Sequence, residues 1–397
     1  MSVLSAFRRH TLADTLLRYT LPVGWFALLS GMFWIGERHL YHTLYYVTLA
    51  APTLLFLLLQ PRYWALLQRV TLLRLFLLFA AYMLISMSWA DSSDTLLSMA
   101  KRPLYIALLF AAAVVLGQRE SVRLTQATEW AARVAVLTAV ISMAIYLHAA
   151  EGGRLSGYGA LYNPLLSAHV FGFFTVYWLC RWYQHPSPCN WIALLALLPL
   201  CLLLLLTGSR TPLLAIAACM GWLAASRWRQ RLWPLLIAIV VIGLTWQWLQ
   251  PVEGLLNRGL SYRPAIWAEV WRQLQGHLTF GLGLTHPQIF PVAGLPNALA
   301  DTHNMELGVL FEGGLVGLGL WLALYGYALV YAWRQRHRNV VLMASTLMVF
   351  GLVAGLTEGS AFFSRPKEHW FLLWIPLALL AATQYQPVAP LTSRNHD

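Results

Sequence analysis

The sequence predicts an all-α polytopic membrane protein: a single integral membrane domain over residues 1–397 with about twelve transmembrane helices and one long outer loop carrying an interfacial helix. Three observations lead there. The chain is 59% hydrophobic and only 11% charged, with a mean hydropathy of +0.60, outside the range of soluble globular domains. Charge-free apolar runs begin at Leu21–Gly36 and recur to the C-terminal end, so the bilayer rather than an aqueous core sets the fold. Arginine collects in tight loops, "RWRQR" at 227–231 and "RQRHR" at 334–338, as the positive-inside bias requires of cytoplasmic connections.

The expected spans are 20–36, 43–59, 72–89, 103–118, 130–149, 165–183, 190–207, 211–226, 232–250, 303–332, 339–357 and 369–384. An even number places both termini on one side. With the N-terminus inside, seventeen of the 27 Lys and Arg residues are cytoplasmic, among them Arg227, Arg229, Arg231, Arg334, Arg336 and Arg338. The other ten, Arg38, Lys101, Arg102, Arg154, Arg210, Arg258, Arg263, Arg272, Arg365 and Lys367, face outward. That is many cations for a face where they are disfavoured, and it points to an anionic ligand there.

The formal net charge of +12 is therefore mostly topology signal. Nucleic acid is excluded as a partner, because the basic residues are scattered over short inner loops with no soluble domain to present them. The N-terminal "MSVLSAFRRHTLADTLLRYT" has no compact apolar region followed by a small-residue cleavage site, and reads as a retained amphipathic lead-in. Cys180, Cys189, Cys201 and Cys219 lie in or beside spans without C-x-x-C spacing, which supports neither a disulfide framework nor a zinc site.

One segment breaks the rhythm of short loops: residues 251–302, between the ninth and tenth spans. Within it "SYRPAIWAEVWRQLQG" sets Ile266, Val270 and Leu274 beside Trp267 and Trp271 at helical spacing, with Pro264 suited to a first turn, as in a helix lying on the membrane surface. The following "HLTFGLGLTHPQIFPVAGLPNALADT" is rich in Gly and Pro and reads as irregular loop.

Arg154, Arg210, Arg263 and His303 each lie at or just before the outward end of an expected helix. Free N–H groups, a positive dipole end and bidentate guanidinium forks, converging on one cavity, suit a strongly anionic group such as pyrophosphate. An isolated arginine at this level is otherwise a snorkelling anchor. With Asp301 or Thr302 as cap, His303 falls in the first helical turn, where the dipole favours the neutral imidazole that a general base needs. Glu306, one turn on, is placed to orient the imidazole or a substrate hydroxyl. Glu312 lies ~13 Å beyond His303 along a continuous helix and reads as a bundle lock paired with an arginine. Gly313, Gly314, Gly317 and Gly319 read as permitting close helix approach.

The His303–Asn304 pair, nine intervening residues and "GLVG" at 314–317 resemble the His-Asn, nine-residue, Gly-x-x-Gly signature of O-antigen ligases, in the family that includes O-antigen polymerases and bacterial protein O-oligosaccharyltransferases. "RLSGYGALYNP" at 154–164, "TGSRTPLLA" at 207–215, and "RPAIWAEVW" followed by "FGLGLT" are similar to further family blocks, so the resemblance covers 152–320 in detail. It implies a glycosyltransferase of the Gram-negative inner membrane, with cytoplasmic termini and a periplasmic active site. The donor would be undecaprenyl-pyrophosphate-linked O-antigen, and the acceptor a sugar hydroxyl of lipid A core oligosaccharide; membrane lipids are the only other expected partners.

On that reading His303 deprotonates the acceptor hydroxyl while Arg154, Arg210 and Arg263 take up charge developing on the pyrophosphate. Asn304, Glu306, Tyr262 and Asn163 are expected in support, and Glu312, Gly314 and Gly317 as structural motif residues. A single displacement inverts the anomeric centre. The outer carboxylates Glu37, Asp91, Asp94, Glu151, Glu253, Glu269 and Asp301 are dispersed, so no metal or other cofactor is expected. An O-antigen polymerase, extending a second lipid-linked glycan, and a lipid-linked glycan transporter are the alternatives; mid-membrane polar groups and a repeat between chain halves would favour the transporter.

Overall fold

A computed structural model describes residues 10–149, 154–184, 190–227, 262–292 and 295–385. The helices are α1 (His10–Phe33), α2 (Arg38–Leu59), α3 (Arg62–Arg69), α4 (Thr71–Trp89), α5 (Leu96–Arg119), α6 (Ser121–Ala149), α7 (Pro164–Gln184), α8 (Trp191–Leu206), α9 (Arg210–Ser226), α10 (Arg263–Gln273), α11 (Met305–Arg334), α12 (Asn339–Gly355), α13 (Glu368–Leu372) and α14 (Trp374–Ala381). Among the described residues no strand forms, and the only β-type contact is an isolated bridge between Phe290 and Leu299. Each expected span within these residues is helical; the one at 232–250 lies outside the described residues, as do 251–261 of the long loop, Arg258 and Cys189. Six of the described helices, α1, α2, α4, α5, α6 and α11, are long and apolar enough to cross a membrane.

Helix α7 is the centre of the bundle. Every residue from Ser167 to Cys180 is buried, so this helix is enclosed on all sides instead of presenting one amphipathic face. Phe171 meets Phe33 of α1 with ring centroids 5.2 Å apart, and Phe174 meets Phe371 of α13 at 5.9 Å. Outer helices show the opposite pattern. On α8, Ala193, Ala196, Leu200 and Leu203 pack inward while Ile192, Leu194, Leu195, Leu198 and Leu202 are exposed. Leucines on that scale are the lipid-facing side of a membrane bundle. Because lipid tails are as apolar as leucine, the bundle is held by packing and polar contacts more than by hydrophobic transfer, for example Trp25 Nε1 donating to Thr128 Oγ1 at 3.0 Å between α1 and α6.

Helix α11 departs from the continuous span expected at 303–332. It starts at Met305, and at Gly314 its backbone turns to φ 61°, ψ −164°. The 305–313 and 315–334 segments do not share one axis: a Cβ at Gly317 would lie 3.7 Å from the Val309 carbonyl oxygen, against roughly 12 Å of rise for eight residues of straight helix. The groups released by the break are taken by the loop expected to be irregular. Leu282 N–H donates to the Phe311 carbonyl (2.9 Å), Gly283 N–H to that of Glu312 (2.8 Å), and the Tyr82 hydroxyl to that of Gly313 (2.6 Å). In the other direction Leu315 N–H donates to the Leu278 carbonyl (2.9 Å) and Val316 N–H to that of Thr279 (3.2 Å). Unpaired backbone groups are costly inside a membrane protein, and here the loop 278–283 replaces the missing helical bonds.

This changes the reading of two motif elements. Gly313 and Gly317 do admit a close neighbour, Met83 and Tyr82 of α4, but Gly314 supplies a backbone geometry, not merely space. Glu312 is buried as expected, yet its partner is Gln288, whose Nε2 donates to Oε1 at 3.1 Å, and no arginine forms an ion pair with it among the described residues. The amide matches the carboxyl without a second buried charge.

The helix expected within 261–276 is α10, over Arg263–Gln273. Its Ile266 and Val270, with Leu274 just beyond it, are buried with Phe290, Val292, Leu310 and Phe311 in a core separate from the main one. Trp271 stays half exposed. The 262–290 region is thus fixed to the first half of α11 by side chains at α10 and by main chain at 278–283.

Gly314→Ala is expected to unfold this junction. The conformation is reserved for glycine, with a strain of about 1–3 kcal/mol for other residues, and the added Cβ would collide with main-chain atoms of Thr279 and Gly281. Thermal unfolding of the detergent-purified variant should show a clear fall in midpoint, whereas Gly319→Ala, whose Cβ meets nothing within 4 Å, should melt near wild type. Equal midpoints would refute the role given to Gly314.

Candidate active site

The cap of α11 is Asn304. Its Oδ1 accepts from Leu307 N–H at 2.8 Å, satisfying one of the open donors of the first turn. The expected cap at Asp301 or Thr302 is thereby corrected, and His303 precedes the helix instead of lying in its first turn. His303 adopts φ 48°, a left-handed conformation uncommon outside glycine. Asp301 holds it there, accepting from the His303 N–H at 2.7 Å. Two further bonds fix the turn: Thr302 Oγ1 donates to the Asn304 carbonyl at 2.8 Å, and Trp267 Nε1 of α10 donates to the Thr302 carbonyl at 3.0 Å. His303 stands on a strained, fully braced turn at the tip of the short 305–313 segment, the kind of backbone that marks functional positions.

The segment 356–360, "LTEGS", after α12 joins the elements that carry the other candidates. Asn304 Nδ2 donates to the Leu356 carbonyl at 3.0 Å, tying in the histidine turn. Thr357 Oγ1 lies 2.9 Å from Thr211 Oγ1, tying in the start of α9, where Arg210 is the first residue. Glu358 Oε1 accepts from Arg263 Nη2 at 2.8 Å. Ser360 Oγ donates to Gln288 Oε1 at 3.0 Å, and Gln288 bonds Glu312. Arg154 Nε donates to the Thr207 carbonyl at 2.6 Å, just before the turn into α9.

Glu358 was not among the outer carboxylates singled out from the sequence, and it is the buried carboxyl that pairs with Arg263. It is 2% exposed. Burial pushes its carboxyl up to about 7 despite the Arg263 guanidinium beside it and Arg154 nearby, which pull the other way, and the Asp301 carboxylate adds to the rise.

The supporting residues divide. Asn163 is a helix cap: its Oδ1 accepts from Leu165 N–H at 2.9 Å at the start of α7. Tyr262 immediately precedes α10 and its side chain is exposed. Glu306 turns to Trp321 and Tyr325 on the second half of α11, and no hydrogen bond joins it to His303 among the described residues. Several outward cations have structural partners: Arg38 Nη2 meets Glu368 at 2.8 Å and Arg272 meets Glu269 at 2.5 Å. The 356–360 hub gave little local sequence signal, since Glu358 sits at the edge of an apolar span; a carboxylate beside a glycine in such a context was the available hint.

Comparison with known proteins identifies the family. Residues 194–322 match the family model described as O-antigen ligase. The chain is 46% identical over 389 residues to an O-antigen ligase of Pseudomonas aeruginosa, covering 98% of this chain and 96% of that protein.

The Glu358 carboxyl makes a signed prediction. Between the ordinary carboxyl value of roughly 4.3 and about 7, the folded protein keeps a proton that the unfolded chain has lost. Its stabilisation is complete below the ordinary value and is lost as pH rises through about 7. Glu358→Gln cannot titrate, so its unfolding midpoint should decline less than that of wild type between pH 5 and 8. Parallel profiles would show that Glu358 does not carry this proton.

Proposed function

The chain belongs to the O-antigen ligase family of membrane glycosyltransferases, and from that premise we propose that it joins O-antigen, carried on undecaprenyl pyrophosphate, to a sugar hydroxyl of lipid A core oligosaccharide at the periplasmic face of the inner membrane. In this reading the protein has about twelve spans and cytoplasmic termini. The observation that carries the site assignment is the 356–360 segment, bonded at successive residues to the turn of His303, the start of α9 at Arg210, and Arg263.

His303 takes the proton of the acceptor hydroxyl as its oxygen attacks the anomeric carbon. The bond from that carbon to the phosphate oxygen breaks, and its electron pair leaves with undecaprenyl pyrophosphate. Arg154, Arg210 and Arg263 stabilise the growing negative charge, the former two from loop and helix-start positions, the last from the first turn of α10. Inversion follows from a single displacement. Asn304 serves by fixing the helix tip that carries His303, and Glu358 by orienting Arg263. The reaction as written uses no metal ion.

Purified protein in lipid vesicles, given lipid-linked O-antigen, core lipid A and EDTA, should form the joined product. His303→Ala should lower the rate by roughly 10²–10⁴-fold, the usual share of a general base, with protein abundance in the membrane unchanged. Near-wild-type transfer by that variant would remove His303 from the base role, and loss of activity in EDTA alone would reintroduce a metal. Extension of a second lipid-linked repeat in place of core lipid A would reassign the protein as a polymerase.

A further inference from the structure

Next to the histidine turn lies a cavity of about 300 Å³. Its wall includes Arg102 of α5, Gln288 of the loop, Asp301, Glu312, Ser360 and Phe362. Donors and acceptors are mixed in the wall: a guanidinium, an amide, the hydroxyls of Thr285 and Ser360, and two carboxyl groups, with the rings of Phe362 and Phe363. The polar groups are held in place from behind. Arg102 Nη1 donates to the Phe363 carbonyl at 3.2 Å, and Gln288 is bonded on one side to Ser360 and on the other to Glu312. The volume is at the lower end of small-ligand sites.

Asp301 is shared between this cavity and the candidate base. It lines the cavity wall and accepts from the His303 N–H at 2.7 Å. Arg154, Arg210 and Arg263, assigned above to the donor, are not in the cavity wall, and His303 adjoins it through Asp301, which accepts from its main-chain N–H. Charges of both signs line it, as suits a neutral polyhydroxylated ring, whereas a phosphate would face two carboxyl groups.

We infer that this cavity is the subsite for the acceptor, seating the pyranose ring whose hydroxyl is delivered to His303, with Gln288 and Arg102 binding its other hydroxyls. The inference rests on the proposed function for the identity of the acceptor and of the base. Gln288 is bound to both Glu312 at the helix break and Ser360 at the hub, so the subsite is built from the same elements that position the histidine.

Binding tests it separately from turnover. The probe is core oligosaccharide released from lipid A, titrated against detergent-purified His303→Ala protein, with undecaprenyl pyrophosphate titrated in parallel. Gln288→Leu removes hydrogen-bonding groups, and Ala361→Phe fills the cavity from another wall residue. Each, added to the His303→Ala background, should weaken oligosaccharide binding by about tenfold or more, the scale of one lost polar contact, and leave undecaprenyl pyrophosphate binding within about twofold. Unchanged oligosaccharide binding in both variants overturns the subsite, as does weakened undecaprenyl pyrophosphate binding in Ala361→Phe with oligosaccharide binding retained. Failure of the wild type to join the substrates, with the binding losses present, counts against the proposed function and leaves the subsite standing.

Discussion

The structure of the site depends on the main-chain exchange between the break at Gly314 and the loop 278–283. A helix interrupted within a membrane bundle exposes carbonyl and N–H groups that neither lipid nor a neighbouring helix side chain normally satisfies. Here Leu282 and Gly283 donate into the break and Leu278 and Thr279 accept from it. The consequence is a short 305–313 segment that ends one side of the break and carries His303 at its other end. Its orientation is set by an outer loop, so loop and histidine are one mechanical unit. The second core, with Ile266 and Val270 against Leu310 and Phe311, adds side-chain packing to the same junction.

A second constraint acts from the other side. The five residues 356–360 contact the histidine turn, the start of α9, Arg263 and Gln288, elements separated by long stretches of chain. Every one of these contacts is a hydrogen bond of ordinary length. Such bonds are individually modest, about 0.5–1.5 kcal/mol each when neutral, but they define relative position, which is what a transfer reaction between two large substrates requires. Helix α12 and the enclosed α7 supply the rigid support behind this segment.

The helical architecture was legible from composition because a bilayer imposes long apolar runs: the expected spans among the described residues fall mainly on helix, although 369–384 is divided between the short α13 and α14 and six helices are long and apolar enough to cross. Arg154, Arg210, Arg263 and His303 were legible because charge at helix ends is conspicuous in an apolar chain. The break at Gly314 was not: "GGLVG" is compatible with close packing and with a turn, and the choice depends on a loop some thirty residues away. The partner of Glu312 was misread for a related reason. A buried carboxylate calls for an arginine only when no polar amide reaches it, and Gln288 gave no sign of its position in the sequence. Asn163 and Asn304 show the converse. Their cap bonds follow from local chemistry, an Asn directly before a helix start, and the family signature had drawn attention to function first.

The Arg263–Glu358 pair gives the proposed donor site a particular character. A buried acid paired with one arginine is seldom a net source of stability, since desolvation offsets much of the attraction, and the raised carboxyl, at about 7, reflects that burial. What the pair provides is orientation: Glu358 fixes the guanidinium of Arg263 in the first turn of α10. A pyrophosphate carries more negative charge than one carboxylate and offers more acceptor oxygens, so it competes effectively for the same guanidinium. Glu358 thus holds the Arg263 guanidinium in position, the orientation that the proposed function requires for an incoming pyrophosphate.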